Sequence, residues 1–96
     1  METTPGGFVA ECFWPDVDER AISAVDARIV AGVAACNAAG VSVRYLGSIL
    51  LRDDEVLLCR FEGAEADVRR VVEAADVPFE RLLATTTYPA SEGVTP

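Results

Sequence analysis

Neither lysine nor histidine occurs in this chain of 96 residues, and its eight basic residues are all arginine. Without histidine the sequence lacks the usual general base and the commonest zinc or nickel ligand, and without lysine it can form neither a Schiff base nor a P-loop phosphate site. Three cysteines, an odd number, do not make a disulfide framework. We therefore expect a cytoplasmic protein with no bound metal and no cofactor.

Basic charge is also scarce relative to acidic charge, with 8 arginines against 16 acidic residues and a net charge of −8. Such a surface repels nucleic-acid phosphates and anionic lipid, so we expect neither partner. The longest apolar stretch, 21–41, contains Asp26, Arg28 and Asn37, which disfavours a membrane span. The start, METTPGG, has no basic residue before a short apolar run, unlike a secretory signal.

What the chain does have is hydrophobic residues, at 51%, with a clear periodicity that excludes disorder. The pattern predicts strands at 8–14, 41–52, 55–62 and 79–88, and helices from the Asp16–Glu19 capping signal to Gly40 and over 64–75. The core-facing helix residues are Ile22, Val25, Ile29, Val33 and Cys36, then Val68, Val71, Val72 and Ala75.

The order β-α-β-β-α-β predicts an α+β, ferredoxin-like fold in which both helices cover one face of a four-stranded antiparallel sheet. We expect a single domain over 7–88, with flexible ends at 1–6 and 89–96. The other face of the sheet then has no cover within the domain, so it must be polar or packed against something.

Strand alternation predicts an apolar uncovered face, provided that no bulge at Gly47 shifts the register. Its apolar members are Val9, Phe13, Leu46, Leu50, Val56 and Leu58. A patch of this kind marks an interaction site, and two copies packing these faces would form a barrel-like homodimer. The alternative is that the C-terminal tail or a longer loop folds across the face.

Glu11, Arg44 and Arg60 are the charged residues predicted on the same face. They fit either an ion-pair network that fixes the dimer register or a polar site for an anionic small molecule, with arginine as a bidentate clamp. Glu11 is also the weak candidate for a general base, with a raised pKa if it is buried.

Aromatic residues are few, and Trp14, Phe13, Tyr45 and Phe61 either line a pocket between sheet and helices or simply fill the core. Cys12 and Cys59 are predicted on the helix side of neighbouring strands, where free cysteine packs as a small hydrophobe. The Asp53–Glu55 run is typical of a solvated hairpin turn, although carboxylates there could bind a hard cation weakly.

The segment 41–88 resembles a small bacterial family of unknown function, some of whose members are described as nickel-binding proteins. The likeness lies in VRYLGSIL, DDEVLLCRFEG, AEADVRRVVEAADVPFERL and the last strand, and FVAECFWPD extends it to about residues 7–88. Members of that family are similar to the dimeric α+β-barrel superfamily, which implies the same fold. The histidines on which metal binding in such relatives would depend are absent from this chain, so no metal ligand carries over.

The sequence therefore favours a homodimeric, non-catalytic module that binds a small ligand through Arg44, Arg60, Trp14 and Tyr45. A second hypothesis is a small cofactor-free enzyme, monooxygenase- or cyclase-like, with Glu11 as base and the aromatic side chains holding the substrate. A third is a metal-binding protein that uses carboxylates and thiols. Whether the protein is an enzyme stays open at this point.

Overall fold

The computed structural model describes the backbone of residues 4–88 and the side chains of residues 7–88. Its elements are β1 (Thr4–Phe13), α1 (Glu19–Ala38), β2 (Arg44–Leu51), β3 (Val56–Glu62), α2 (Glu65–Ala74) and β4 (Arg81–Thr87). The sheet order is β2-β3-β1-β4, and every neighbouring pair is antiparallel. This is the predicted ferredoxin-like α+β arrangement.

The ends of the domain differ slightly from the prediction. β1 begins at Thr4, inside the segment 1–6 that we expected to be flexible. The remainder of the predicted flexible ends, 1–3 and 89–96, lies outside the described residues.

Local signals fix the bounds of α1. The helix begins two residues later than the Asp16 signal suggests, because the carboxylate of Asp18 accepts the N–H of Ala21 at 2.8 Å and caps the first turn. Gly40 follows the helix with φ +87°, the left-handed conformation that stops a helix at little steric cost.

Both predicted helix faces pack on the sheet. Val25 and Ile29 of α1 are buried, with Ile22, Val33 and Cys36 beside them, and α2 contributes Val68, Val71, Val72 and Ala75. The sheet supplies Ala10, Cys12, Leu57, Cys59 and Phe61 to the same core. The core thus lies between the two layers, and the opposite side of the sheet faces outward; we call this side the open face.

By length and composition alone, α1 is apolar enough to cross a membrane, with a mean hydropathy of 1.3 over a stretch that is 11% buried. Core helices of soluble proteins and N-terminal signal sequences meet the same criterion. In this fold α1 also contacts α2, since Arg28 Nε donates a hydrogen bond of 2.6 Å to the Ala75 carbonyl at the end of α2. That no segment spans a membrane stays a prediction.

A bulge in β2 decides which of its side chains reach the open face. The pairing of β2 with β3 shifts between Tyr45 and Gly47, so that Leu46 is an extra residue, and Gly47 adopts φ +99°. After the bulge, each side chain of β2 points to the opposite face of the sheet from the one that simple alternation predicts. Ser48 and Leu50 therefore turn to the helix side, while Ile49 and Leu51 lie on the open face.

Candidate functional site

The open face is built from four cross-strand rows that run from β2 towards β4. Their members are Arg44, Glu62, Gly7 and Thr85 in the first row, Gly47 with bulged Leu46, Arg60, Val9 and Leu83 in the second, Ile49, Leu58, Glu11 and Arg81 in the third, and Leu51, Val56 and Phe13 in the fourth. Hydrophobic residues dominate the last two rows, whereas most of the polar side chains lie in the first two.

The third and fourth rows form an exposed apolar surface, which we call the apolar half. Its members are Phe13, Ile49, Leu51, Val56 and Leu58. Phe13 is 51% exposed, Ile49 43% and Leu51 40%. A cluster of large hydrophobic side chains left this open is typical of an interaction surface. The prediction that Leu50 belongs to this face is wrong, because the bulge turns it to the helix side.

The predicted network of Glu11 with Arg44 and Arg60 is also wrong. Glu11 Oε1 accepts from Arg81 Nε at 2.8 Å, and Arg44 donates to Glu62 Oε1 at 2.9 Å. Both partners are direct cross-strand neighbours, which is why they meet. The open face therefore carries two separate ion pairs and one arginine, Arg60, that belongs to neither.

Arg60 is incompletely bonded. One terminal nitrogen, Nη2, donates to the Leu46 carbonyl in the β2 bulge at 2.8 Å. Its Nε is shielded from solvent and is the one such side-chain nitrogen or oxygen without a hydrogen-bond partner among the described side chains. Buried polar groups in folded proteins are nearly always paired, so this N–H is an exception among the described side chains.

A hollow of about 170 Å³ lies beside Arg60 in the first two rows of the open face. It is lined by Gly7, Phe8, Val9, Leu46, Arg60, Phe61, Glu62, Thr85 and Thr87. Gly7 is the residue that fits beside Thr85 here, since the Thr85 side chain lies over it and a Cβ there would stand 2.6 Å from Thr85 Oγ1. We refer to this feature as the hollow.

Trp14 and Tyr45 lie on the opposite side of the sheet from Arg44 and Arg60. The Tyr45 ring packs against Phe61 in the core at a centroid distance of 5.1 Å. Trp14 lines a separate cavity of about 110 Å³ with Arg52 and Glu55. The four predicted ligand-binding residues thus do not form one site.

The helix side holds a second open cleft, of about 400 Å³, between the first turn of α1 and β2. Ser48 and Leu50 line it, together with Arg52 and Ile22.

Burial, followed by the nearby Asp26 carboxylate, raises the pKa of Tyr45 well above its ordinary value. The Tyr45 hydroxyl therefore stays protonated at neutral pH.

Glu11 does not have the environment expected of a buried general base. Its hydrogen bond to Arg81 lowers the pKa of the carboxyl below its ordinary value. The expected raised pKa is therefore wrong for this residue, and the carboxylate is a weaker proton acceptor than an ordinary glutamate. It also lies on the face opposite Trp14, Tyr45 and Phe61, so that Phe13 alone of the four aromatic residues that were to hold a substrate shares its face.

Cys12 and Cys59 are free thiols with no exposed surface, as expected for core cysteines. The neighbouring Cys59 thiol and burial raise the pKa of Cys12, so it stays protonated. Within the part of the chain that the structure describes, no three cysteine, aspartate or glutamate side chains converge on a point that could hold a metal ion. The metal hypothesis has no ligand set there.

Comparisons of the chain with protein-family models, with curated proteins and with solved structures find no match. The resemblance to a nickel-binding family therefore stays a prediction.

Of the residues that shape the hollow, Gly7 and Thr85 were not predicted. A glycine inside a strand signals a close backbone approach, which is the signal that could have found them.

Proposed function

We propose that the protein is a homodimeric binding module in which two open faces pack on each other and the hollow receives a small ligand. The observation that carries this proposal is the apolar half, where Phe13, Ile49 and Leu51 are exposed side by side. Covering these side chains removes apolar surface from water, which is the main driving force of protein association. No other surface of the described residues gathers as many exposed large hydrophobic side chains.

The size of the open face fits a second copy of the chain. From ordinary strand spacing and rise, four strands of about seven residues cover roughly 19 by 23 Å. Two such faces, with the hollow enclosed between them, bury about 900 Å² when treated as flat, somewhat less than the roughly 1,000 Å² expected of a biological interface.

The charges of the open face also permit such a contact. Glu11 with Arg81, and Arg44 with Glu62, are already neutralised within one chain. Packing two copies therefore brings no unpaired carboxylate into the interface, where an uncompensated charge would be costly. Arg60 is the exception, and it lies between the hollow, which it lines, and the apolar half.

A pair of matched charge substitutions tests the dimer. Ile49→Glu places a carboxylate in the apolar half, whereas Val30→Glu places one on α1, where Val30 is 54% exposed. Sedimentation velocity on untagged protein should give a dimer for the wild type and for Val30→Glu, and a monomer for Ile49→Glu. Circular dichroism confirms that each variant is folded.

Three results would contradict the proposal: a monomeric wild type, an Ile49→Glu variant that still dimerises, or loss of the dimer in both variants. A monomeric wild type would favour the alternative in which another part of the chain covers the open face.

The enzyme hypothesis lacks its predicted group of residues, because Trp14, Tyr45 and Phe61 lie on the opposite face of the sheet from Glu11, and Phe13 alone of the four aromatic residues shares its face. A binding role does not require a general base. It requires a concave site with a polar group that recognises the ligand, and the hollow with the Arg60 guanidinium offers both.

A further inference from the structure

We propose that the hollow binds a small organic monocarboxylate, with Arg60 holding the carboxylate and the apolar side chains of Val9 and Leu46 contacting its body. This inference rests on the proposed function in taking the open face as the working surface. It goes beyond it by naming the ligand class and the residues that recognise it.

The walls of the hollow are placed for a single small molecule. Arg60 on β3 and Thr85 on β4 lie on either side of β1 and one row apart, roughly 12 Å from backbone to backbone by strand spacing and rise. Between them Gly7 contributes no side chain, and the Thr85 hydroxyl lies over its backbone. The Arg60 guanidinium lies on the β2 side of the hollow, where Nη2 donates to the Leu46 carbonyl, and Thr85 lies on the opposite wall.

Charge selects an anionic ligand. Each carboxylate of the open face is held by its own arginine, Glu11 by Arg81 and Glu62 by Arg44. Among the described residues, the acceptor that Arg60 finds is the neutral Leu46 carbonyl. A positive charge in an apolar, half-buried setting attracts an anion more strongly than one in water, and guanidinium matches the planar carboxylate group.

The unpaired Nε of Arg60 indicates which contact is missing. An arginine presents parallel N–H groups that a carboxylate can accept together. In the structure one such donor is used by the β2 bulge and Nε is not used at all. A carboxylate that enters the hollow and draws the guanidinium towards it supplies the acceptor that the chain lacks.

The ligand is a monoanion of limited size. Glu62 also lines the hollow, and although Arg44 neutralises it, its oxygens disfavour a doubly charged phosphate. A volume of about 170 Å³ corresponds to five or six water molecules, which suits a compact acid with a short or aromatic body. Benzoate is a suitable probe, and benzamide has the same shape without the charge.

The test measures benzoate and benzamide binding by calorimetry and by backbone NMR shifts at pH 7. We expect benzoate to bind saturably, to shift resonances of Gly7 and Thr85, and to bind at least about tenfold more tightly than benzamide. Arg60→Gln should weaken benzoate binding about tenfold or more. Arg70→Gln, which removes an exposed arginine of α2, should leave it unchanged.

Gly7→Ala provides a second variant that keeps every arginine. Its new Cβ occupies the floor against Thr85 Oγ1, so we expect benzoate binding to be lost while the NMR spectrum still shows a folded domain. Thr85→Val, which keeps the shape of the wall and removes its hydroxyl, should weaken binding less than Arg60→Gln does.

The oligomeric state of each sample is measured in parallel, so that the two proposals can fail separately. Benzoate binding to a wild-type monomer with the expected variant pattern would support the hollow and overturn the dimer. A dimer that binds no benzoate, equal binding of benzamide, unchanged binding by Arg60→Gln, or equal losses in Arg60→Gln and Arg70→Gln would overturn the monocarboxylate site.

Discussion

On our proposal, Arg60 is unfavourable for the fold and useful for binding. A buried donor without a partner costs about 1–3 kcal/mol, and the Nε of Arg60 is such a donor. A residue with a purely structural role would be expected to avoid this cost. On our proposal, the cost is present in the free protein and is removed when a ligand accepts a hydrogen bond from Arg60.

Substituting Arg60 by methionine tests this interpretation. Arg60→Met removes the unpaired donor and keeps an apolar chain of similar length, so we expect the free energy of unfolding to stay the same or to rise. Arg81→Met, which takes away the partner of Glu11, should lower it. Urea unfolding at a fixed protein concentration measures both, and a loss above about 1 kcal/mol for Arg60→Met would mean that the residue is structural.

Glu11 gives a pH-dependent prediction at the same scale. Because Arg81 lowers the pKa of Glu11 in the folded protein, the pair stabilises the fold above the ordinary glutamate value near 4.5. That stability is lost as the pH falls through the lowered, folded-state pKa. Glu11→Gln should therefore be less stable than the wild type at pH 7 and equally stable at strongly acid pH, as measured by denaturant unfolding. A difference that does not change with pH would exclude the ion pair as its cause.

At the scale of the elements, the β2 bulge determines the composition of the open face. It turns Ile49 and Leu51 outward and presents the Leu46 carbonyl to Arg60. The bulge depends on Gly47, whose φ of +99° is a conformation that side chains with a Cβ rarely adopt.

Two glycine-to-alanine substitutions separate the backbone strain expected at the bulge from the effect of alanine elsewhere in the fold. Gly47→Ala should destabilise the protein by about 1–2 kcal/mol, because alanine is strained at this φ. Gly32→Ala should stabilise it by up to about 1 kcal/mol, since alanine is the better helix former and its Cβ would lie 3.6 Å from Val71 Cγ1, an ordinary contact. Thermal unfolding compares them, and a Gly47→Ala variant as stable as the wild type would show that the bulge needs no glycine.

The element order and both helix faces were predictable because hydrophobic periodicity is a local property. The apolar spacing in α1 and α2 indicates which side is buried whatever the rest of the chain does. Cross-strand partners are not local. Strand register decides that Glu11 pairs with Arg81 and that Arg44 pairs with Glu62. The extra residue at Leu46 moves Leu50 off the open face and places Ile49 and Leu51 on it.

At the scale of the whole molecule, the fold is a two-layer domain whose sheet is covered on one side only. The helices bury the core residues of one face, while the apolar half remains exposed on the other. Among the described residues no element packs over it. A soluble monomer rarely exposes a contiguous apolar surface on this scale, and we propose that a second copy of the chain covers it by symmetry.

Native mass spectrometry on untagged wild-type protein tests this account most directly, because it gives both the oligomeric state and any bound molecule. We predict a species of twice the 10.2 kDa chain mass that persists on dilution to micromolar concentration. A species of 10.2 kDa alone would contradict the assignment of the open face as the surface on which two copies meet.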